Sequence, residues 1–317
     1  MTSPRQHHES SNEQKRFGDE TNSSQGRPWD RNTPLKIISW NVDYTRPEPA
    51  TRMAAILDYL RVRFNKQSDR LIILLQEVCQ ASLKQLLNTE WVQRNFAING
   101  LKSPTNIESV LLPLPSEMRR DALIVDIPLS TPMDTVPISG KQDIFRLCTT
   151  HLESLGKGFD LRRKQLEIIS QKLKTGKNHN IVAGLVGGDM NSIEDVEQTW
   201  PSDLGLTDVW VEEGVLANET VANSPISNSL GRSSGHTWGY QPKGQYPPRR
   251  FDKFMYTGSL RVASRIDGRI SERIERLGIW LRADLSPIDR GRTPVPSKTR
   301  DLWASDHFGI AIEVSIP

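Results

Sequence analysis

Six short polar motifs flank apolar stretches of this chain, each beside one end of a run that reads as a buried strand. Asn41 and Asp43 follow Leu35 to Trp40, and Gln76 and Glu77 follow Leu71 to Leu75. His151, Glu153 and Ser154 end the run from Ile144, and Gly188, Asp189 and Asn191 end the run from Ile181. Asp252 stands in Arg250-Phe251-Asp252, and Asp306 and His307 precede the last apolar run. A strand end satisfies its own backbone and lets the following loop present side chains. Singly, each residue has an ordinary use: Asn41 and Asp43 as turn formers, Asp189 as a helix cap, His151 and His307 as satisfied core histidines. Together, a glutamate, several aspartates, two asparagines and two histidines are the equipment of metal-assisted phosphoester hydrolysis. Carboxylate oxygens suit Mg²⁺, which keeps several waters and takes one or two protein carboxylates. No Cys or His pair has zinc-ligand spacing.

The elements that must position these groups read as short strands alternating with helical patterns. Leu35 to Trp40, Leu71 to Leu75, Ala122 to Ile127, Ile144 to Thr149, Ile181 to Val186, Arg250 to Tyr256, Gly278 to Leu281 and Phe308 to Val314 read as strands. Met53, Ile56, Leu57, Leu60 and Phe64 recur at helical spacing, as do Leu83, Leu86, Leu87 and Trp91, and Leu161, Leu166, Ile169 and Leu173. Strands outnumber helices and mix continuous with alternating apolar runs, which points to an α/β sandwich with helices covering two packed sheets.

A hydrophobic content of 36% over 317 residues supports a real core. The mean hydropathy is −0.51, and the longest apolar runs are too short to span a bilayer, so no membrane association is expected. A net charge of +3 does not announce a polyanion binder, so any such binding must come from a local basic surface such as Arg162, Arg163 and Lys164. Two cysteines make no disulfide framework, and with no secretory pattern at the start the expected location is the nucleus and/or cytoplasm. Residues 1–34 hold three apolar side chains, Met1, Phe17 and Trp29, and read as a disordered tail. The remainder, 35–317, reads as one domain, with long surface loops at 218–235 and 284–298.

The order of the motifs Ser39-Trp40-Asn41-Val42-Asp43, Leu75-Gln76-Glu77-Val78, Thr150-His151-Leu152-Glu153-Ser154, Gly188-Asp189-Met190-Asn191, Arg250-Phe251-Asp252 and Ser305-Asp306-His307-Phe308 resembles the endonuclease/exonuclease/phosphatase superfamily. Arg162 and Gln165, Asp208-Val209-Trp210 and Thr237-Trp238 are similar to its tyrosyl-DNA phosphodiesterase branch. The resemblance implies a four-layered α/β sandwich, Mg²⁺ as cofactor with Mn²⁺ able to substitute, and a monomer acting on DNA with a 5′-tyrosyl or phosphoester end. It implies Glu77 as metal ligand, with Asn41, Asp43 and Asp306 supporting the metal and its waters. Asp189 would deprotonate the attacking water, and Asn191 would hold that water or a phosphate oxygen. His151 and His307 would donate to the phosphate, with Asp252 fixing His307. Ser154, Arg162 and Trp238 would contact the substrate. The interval from Phe96 to Asp121 departs from the pattern and reads as lacking one strand. Two alternatives stay open: another metal-dependent phosphoesterase of the same superfamily (nuclease or inositol phosphatase-like), or a binding protein that has lost turnover. His151 argues against the abasic endonucleases, which lack a histidine in that motif.

Overall fold

Strands buried on both faces need cover on both faces, and the chain supplies it by stacking two sheets between two helical layers. The computed structural model of the protein describes residues 28–98, 107–130, 141–210, 235–263, 265–267, 270–283 and 302–317. The expected loop at 284–298, nearly all of that at 218–235 and residues 1–27 of the expected tail lie outside them.

One sheet runs in the order β12 (Glu275–Leu277), β13 (Gly309–Ser315), β1 (Leu35–Asn41), β2 (Leu71–Gln76), with β9 (Arg261–Val262) also pairing with β13. The other runs β3 (Glu108–Pro113), β4 (Asp121–Pro128), β5 (Asp143–His151), β6 (Asn180–Asp189), β8 (Asp252–Gly258), β7 (Thr207–Asp208). A separate hairpin joins β10 (Arg265–Asp267) to β11 (Ile270–Glu272). The helices are α1 (Pro49–Phe64), α2 (Gln80–Asn88), α3 (Glu90–Asn95), α4 (Phe159–Lys174) and α5 (Trp200–Asp203).

Three apolar cores separate the four layers. Alternate residues of β1 serve two of them: Ile38 and Trp40 pack with Met53, Ile56 and Leu60 of α1, while Leu35 and Ile37 pack with Leu147, Leu185 and Phe254 of the other sheet. Leu166, Ile169 and Leu173 of α4 cover Ile124, Cys148 and Val186 on that sheet's far side. Each fully buried aliphatic side chain contributes about 1.5–3 kcal/mol. Gly278, with φ 66°, leaves room for Trp40, whose ring atom would lie 2.4 Å from an added Cβ.

Four sequence expectations change. The helix expected across Leu83 to Trp91 is two, because Thr89 takes an extended ψ of 117° and donates its hydroxyl to the Gln85 carbonyl at 2.8 Å. No strand forms over Gly278 to Leu281; the strand ends at Leu277, and Gly278 and Trp280 turn the chain with φ of 66° and 60°. The interval from Phe96 to Asp121, over which no strand is read from the sequence, holds β3: Ser109 to Leu112, too brief a run to stand out among polar neighbours, lies within it and pairs antiparallel with β4. Val110 and Leu111 on this edge strand are 59% and 61% exposed. Finally, the end of the expected tail is built into the fold. The Trp29 N–H donates to the Pro128 carbonyl at 2.7 Å, Arg31 pairs with Asp143, and the Ile316 N–H donates to the Arg31 carbonyl at 2.9 Å. One tryptophan and one arginine anchor a stretch whose average composition conceals them. No helix among the described residues is long and apolar enough to cross a membrane.

Candidate active site

Strand register does the positioning. The parallel pairing of β5 with β6 sets His151 opposite Asp189, and the antiparallel pairing of β6 with β8 sets Asp189 opposite Asp252, so three motif residues form one row. On the other sheet β1 and β2 end together at Asn41 and Gln76, one residue before Glu77. Asn41 ties the two sheets: its Nδ2 donates to Glu77 Oε1 and to Asp189 Oδ2, both at 3.0 Å. Gly188 allows the close approach of β5, since an added Cβ would lie 2.0 Å from the Thr150 carbonyl oxygen.

The chain turns sharply as it leaves these strand ends. Asp43, Glu77 and Asn191 have φ of 54°, 58° and 47°, in the left-handed region that non-glycine residues seldom occupy. Local polar contacts hold the turns: the Asp43 N–H donates to Asn41 Oδ1 at 2.9 Å, the Tyr44 N–H to Glu77 Oε2 at 3.1 Å, and the Asn191 N–H to Asp189 Oδ1 at 2.9 Å. Such strain persists where surrounding structure over-determines it, commonly at sites.

Asp189 is the centre. Its Oδ2 lies 3.4 Å from His151 Nε2 and 3.8 Å from His307 Nε2. Burial would raise its pKa, but the two imidazoles, the Asn191 N–H and the Asn41 amide together bring it below the ordinary value, so the group is ionised at neutral pH. His307 is held through Nδ1, 2.8 Å from Asp252 Oδ2. Although burial works the other way, the carboxylates of Asp252, Asp306 and Asp189 raise His307 well above its usual range, which makes it an imidazolium at neutral pH. His151 behaves oppositely. Arg120 Nη1 sits 3.0 Å from His151 Nδ1, and since a guanidinium only donates, Nδ1 accepts and the ring proton is on Nε2, facing Asp189. Burial lowers the His151 pKa, in keeping with a neutral ring.

Arg120 went unnoticed in the sequence. Its second nitrogen donates to Ser154 Oγ at 2.7 Å, and Ser154 in turn lies 3.2 Å from Asn191 Nδ2, so one guanidinium aligns two expected phosphate-binding groups. The only signal was the Arg119-Arg120 doublet ahead of β4. Arg120→Gln is expected to lower turnover by about 10²-fold, as for loss of a preorganised anion-binding donor, with little change in the unfolding midpoint. Arg120→Lys should not restore it, because an ammonium cannot bridge two acceptors in fork geometry. Steady-state kinetics beside thermal melts check both.

Two expected site residues are placed elsewhere. Asp43 is not free to bind a metal, because its Oδ2 is paired with Arg52 at 3.1 Å and Arg46 at 2.9 Å, and its Oδ1 accepts from Thr45 Oγ1 at 2.6 Å. It braces the β1 turn instead. Arg162 is not a substrate contact: it is 0% exposed, forks onto both carboxylate oxygens of Glu197 at 2.7 and 2.8 Å, and holds the Leu155 carbonyl at 2.8 Å. An arginine on a polar helix face looks solvated in a sequence, and only the fold reveals the buried glutamate opposite. Arg162→Leu should destabilise the protein by about 3–5 kcal/mol by stranding that charge, read as a shift in urea midpoint; an unchanged midpoint would contradict the assignment. The other expected groups lie at the site. Trp238 stacks on Phe251 with centroids 5.1 Å apart and donates Nε1–H to Asp306 Oδ2 at 3.0 Å. Asp306 Oδ1 is 3.9 Å from His307 Nε2.

Glu77, His151 and Asp189 bring ligand atoms within 4.8 Å of one another. With His151 Nδ1 engaged by Arg120, the usable donors are carboxylate oxygens, and this set fits a hard divalent cation. A cavity of about 340 Å³ opens beside Glu77 and His151, lined also by Tyr44, Leu111 and Arg120.

Two mixed sheets between helical layers, with carboxylates and histidines at one end of both, form an α/β sandwich with the fold seen in TDP2 structures. The chain is similar in structure to TDP2 from D. rerio complexed with single strand DNA product, with a TM-score of 0.55, 19% identity, and coverage of 90% of this chain and 100% of that one. It is similar also to TDP2 from C. elegans, with a TM-score of 0.54, 18% identity, and coverage of 89% and 75%. No protein-family model matches the sequence, and no curated protein matches it.

Proposed function

We propose that the protein is a Mg²⁺-dependent phosphodiesterase, with Mn²⁺ able to substitute, that hydrolyses 5′-phosphotyrosyl DNA adducts as a monomer in the nucleus and/or cytoplasm. The observation that carries this reading is Asp189: a buried, ionised carboxylate touched by Asn41, His151 and His307 from three other elements, with Glu77 within reach of the same amide. Similarity to TDP2, one structure of which holds a DNA product, supports the choice of substrate.

Glu77 would hold the cation, with Asn41 fixing the carboxylate. A bound cation neutralises phosphate charge and stabilises the leaving oxygen. Asp189 orients a water and takes its proton as it attacks phosphorus. His307, kept cationic by Asp252, and His151 donate to the phosphoryl oxygens as charge builds there, and Ser154, aligned by Arg120, adds a hydroxyl. Trp238, stacked on Phe251 and partly exposed, would present its ring to a base or to the tyrosyl ring.

A substrate panel tests the assignment: a 5′-tyrosyl oligonucleotide, an abasic duplex, an RNA 3′ tail, an inositol phosphate and sphingomyelin, each with purified protein and Mg²⁺. The tyrosyl ester should be cleaved with the highest kcat/KM. Preferential cleavage of the inositol phosphate or the RNA would replace the substrate while leaving the chemistry of the site in place.

A further inference from the structure

Left-handed backbone on non-glycine residues gathers at the active site, at Asp43, Glu77 and Asn191 and beside Arg120 and Ser154 at Arg119 and Leu155. Among the described residues the two exceptions are Glu48, with φ 59° at the start of α1, and Trp280. Trp280 has φ 60°, where a bulky side chain is strained, and the residue is 46% exposed. Neither feature serves a core. The conformation is held by Gln241, which is fully buried: its Oε1 accepts from the Trp280 N–H at 2.8 Å, and its Nε2 donates to the Ser305 carbonyl at 3.0 Å and lies 3.3 Å from the His307 carbonyl. One glutamine thereby locks the exposed indole to the loop that carries His307.

The indole is not alone. Trp303 lies beside it with centroids 5.9 Å apart, Phe308 backs it at 6.3 Å, Arg282 lies over the Trp303 ring at 5.9 Å, and Arg276 over Phe308 at 6.0 Å. Lys243 is exposed on the turn that follows Gln241. Trp303 precedes His307 by four residues, at most about 14 Å of extended chain, a span that a few nucleotides of an unstacked strand cover. Aromatic faces interleaved with cations recognise stacked bases and the phosphates between them, independently of base identity.

We propose that Trp280 and Trp303, with Arg282 and Arg276, form a stacking platform for a base of the single-stranded nucleic acid whose 5′ end occupies the active site. The proposal rests on the reading of the site as one for a nucleic-acid ester. Recruitment of an indole in a strained backbone is the cost of aiming a flat surface outward, and exposed Lys243, two residues past Gln241, favours a polyanion over an apolar partner.

The test is equilibrium binding of fluorescent 5′-tyrosyl oligonucleotides, a dinucleotide and a longer single strand, to the full chain in EDTA. Trp280→Gly relieves the positive φ and removes the ring; Trp280→Phe keeps a ring. The longer strand should lose at least about fivefold in affinity in Trp280→Gly, the low end of what one base stack contributes, and recover most of it in Trp280→Phe. Dinucleotide affinity should not change. Equal affinity of a folded Trp280→Gly protein for the longer strand, or no oligonucleotide binding by the unaltered chain, overturns the platform. Should that variant not fold, photocrosslinking of an iodouracil-bearing strand to the unaltered chain decides: adducts at Trp280 or Trp303 support the platform, and adducts confined to other residues refute it. Dinucleotide ester cleavage with Mg²⁺ is measured in parallel. Trp280-dependent binding without cleavage would remove the proposed reaction and keep the platform, whereas cleavage with Trp280-independent binding would do the reverse.

Discussion

Asp189→Asn is expected to lower kcat on a 5′-tyrosyl oligonucleotide by about 10³-fold, within the range general-base catalysis contributes, with the fold intact. An amide of the same shape keeps the position between Asn41 and the two histidines but takes no proton from water. The pH profile should carry the same signature. Asp189 lies below its ordinary value, so its own protonation should not limit wild-type activity until the pH falls beneath that value. His307 is raised, so its imidazolium persists through neutral pH, and activity should fall as pH rises through its elevated pKa. Asp252→Asn removes the main charge that raises His307 and should move the alkaline limb to lower pH while reducing kcat less than Asp189→Asn does. The stability linkage has the same sign: the ion pair's contribution is complete below the unfolded histidine pKa and is lost as pH rises through the folded one. A rate profile indifferent to Asp252→Asn would detach His307 from the chemistry.

Glu77→Gln should remove most activity at low Mg²⁺, by about 10²-fold or more, because metal affinity at such a site depends on ligand charge. The amide can still accept from the Tyr44 N–H, so the β2 turn should survive. Excess Mg²⁺ should restore part of the rate, giving a raised apparent metal constant beside a smaller fall in kcat. Wild-type turnover at low Mg²⁺ would show that Glu77 is not the ligand. Isothermal titration of the metal alone separates weakened binding from impaired chemistry.

The site was more legible than the machinery that holds it. Asn41, Glu77, His151 and Asp189 could be found because each ends an apolar run, and Asp252 and His307 because each precedes one; strand register then brings the runs level. Arg120 could not be singled out, because its importance depends on β4 lying beside β5, a pairing between residues far apart in sequence. Arg162 and Asp43 were misplaced for a related reason. Charge on a helix face or in a turn reads as available, yet Glu197 and Arg52 neutralise these two inside the protein. The strands from Leu35 to Asn41 and from Asn180 to Asp189 were readable because both faces are buried and the runs are nearly continuous. β3 has most of its residues exposed at a sheet edge, where neither alternation nor continuity marks it. Trp29 shows the same limit at the other extreme, since an isolated bridge of two backbone hydrogen bonds leaves no periodicity to read.

The most direct test of the central claim is cleavage of a 5′-tyrosyl oligonucleotide by purified protein dialysed against EDTA and then titrated with Mg²⁺. No product is expected without cation, saturable release of tyrosine and 5′-phosphorylated DNA with it, and neither in Asp189→Asn. Product formation unaffected by EDTA, or equal in wild type and Asp189→Asn, would contradict it.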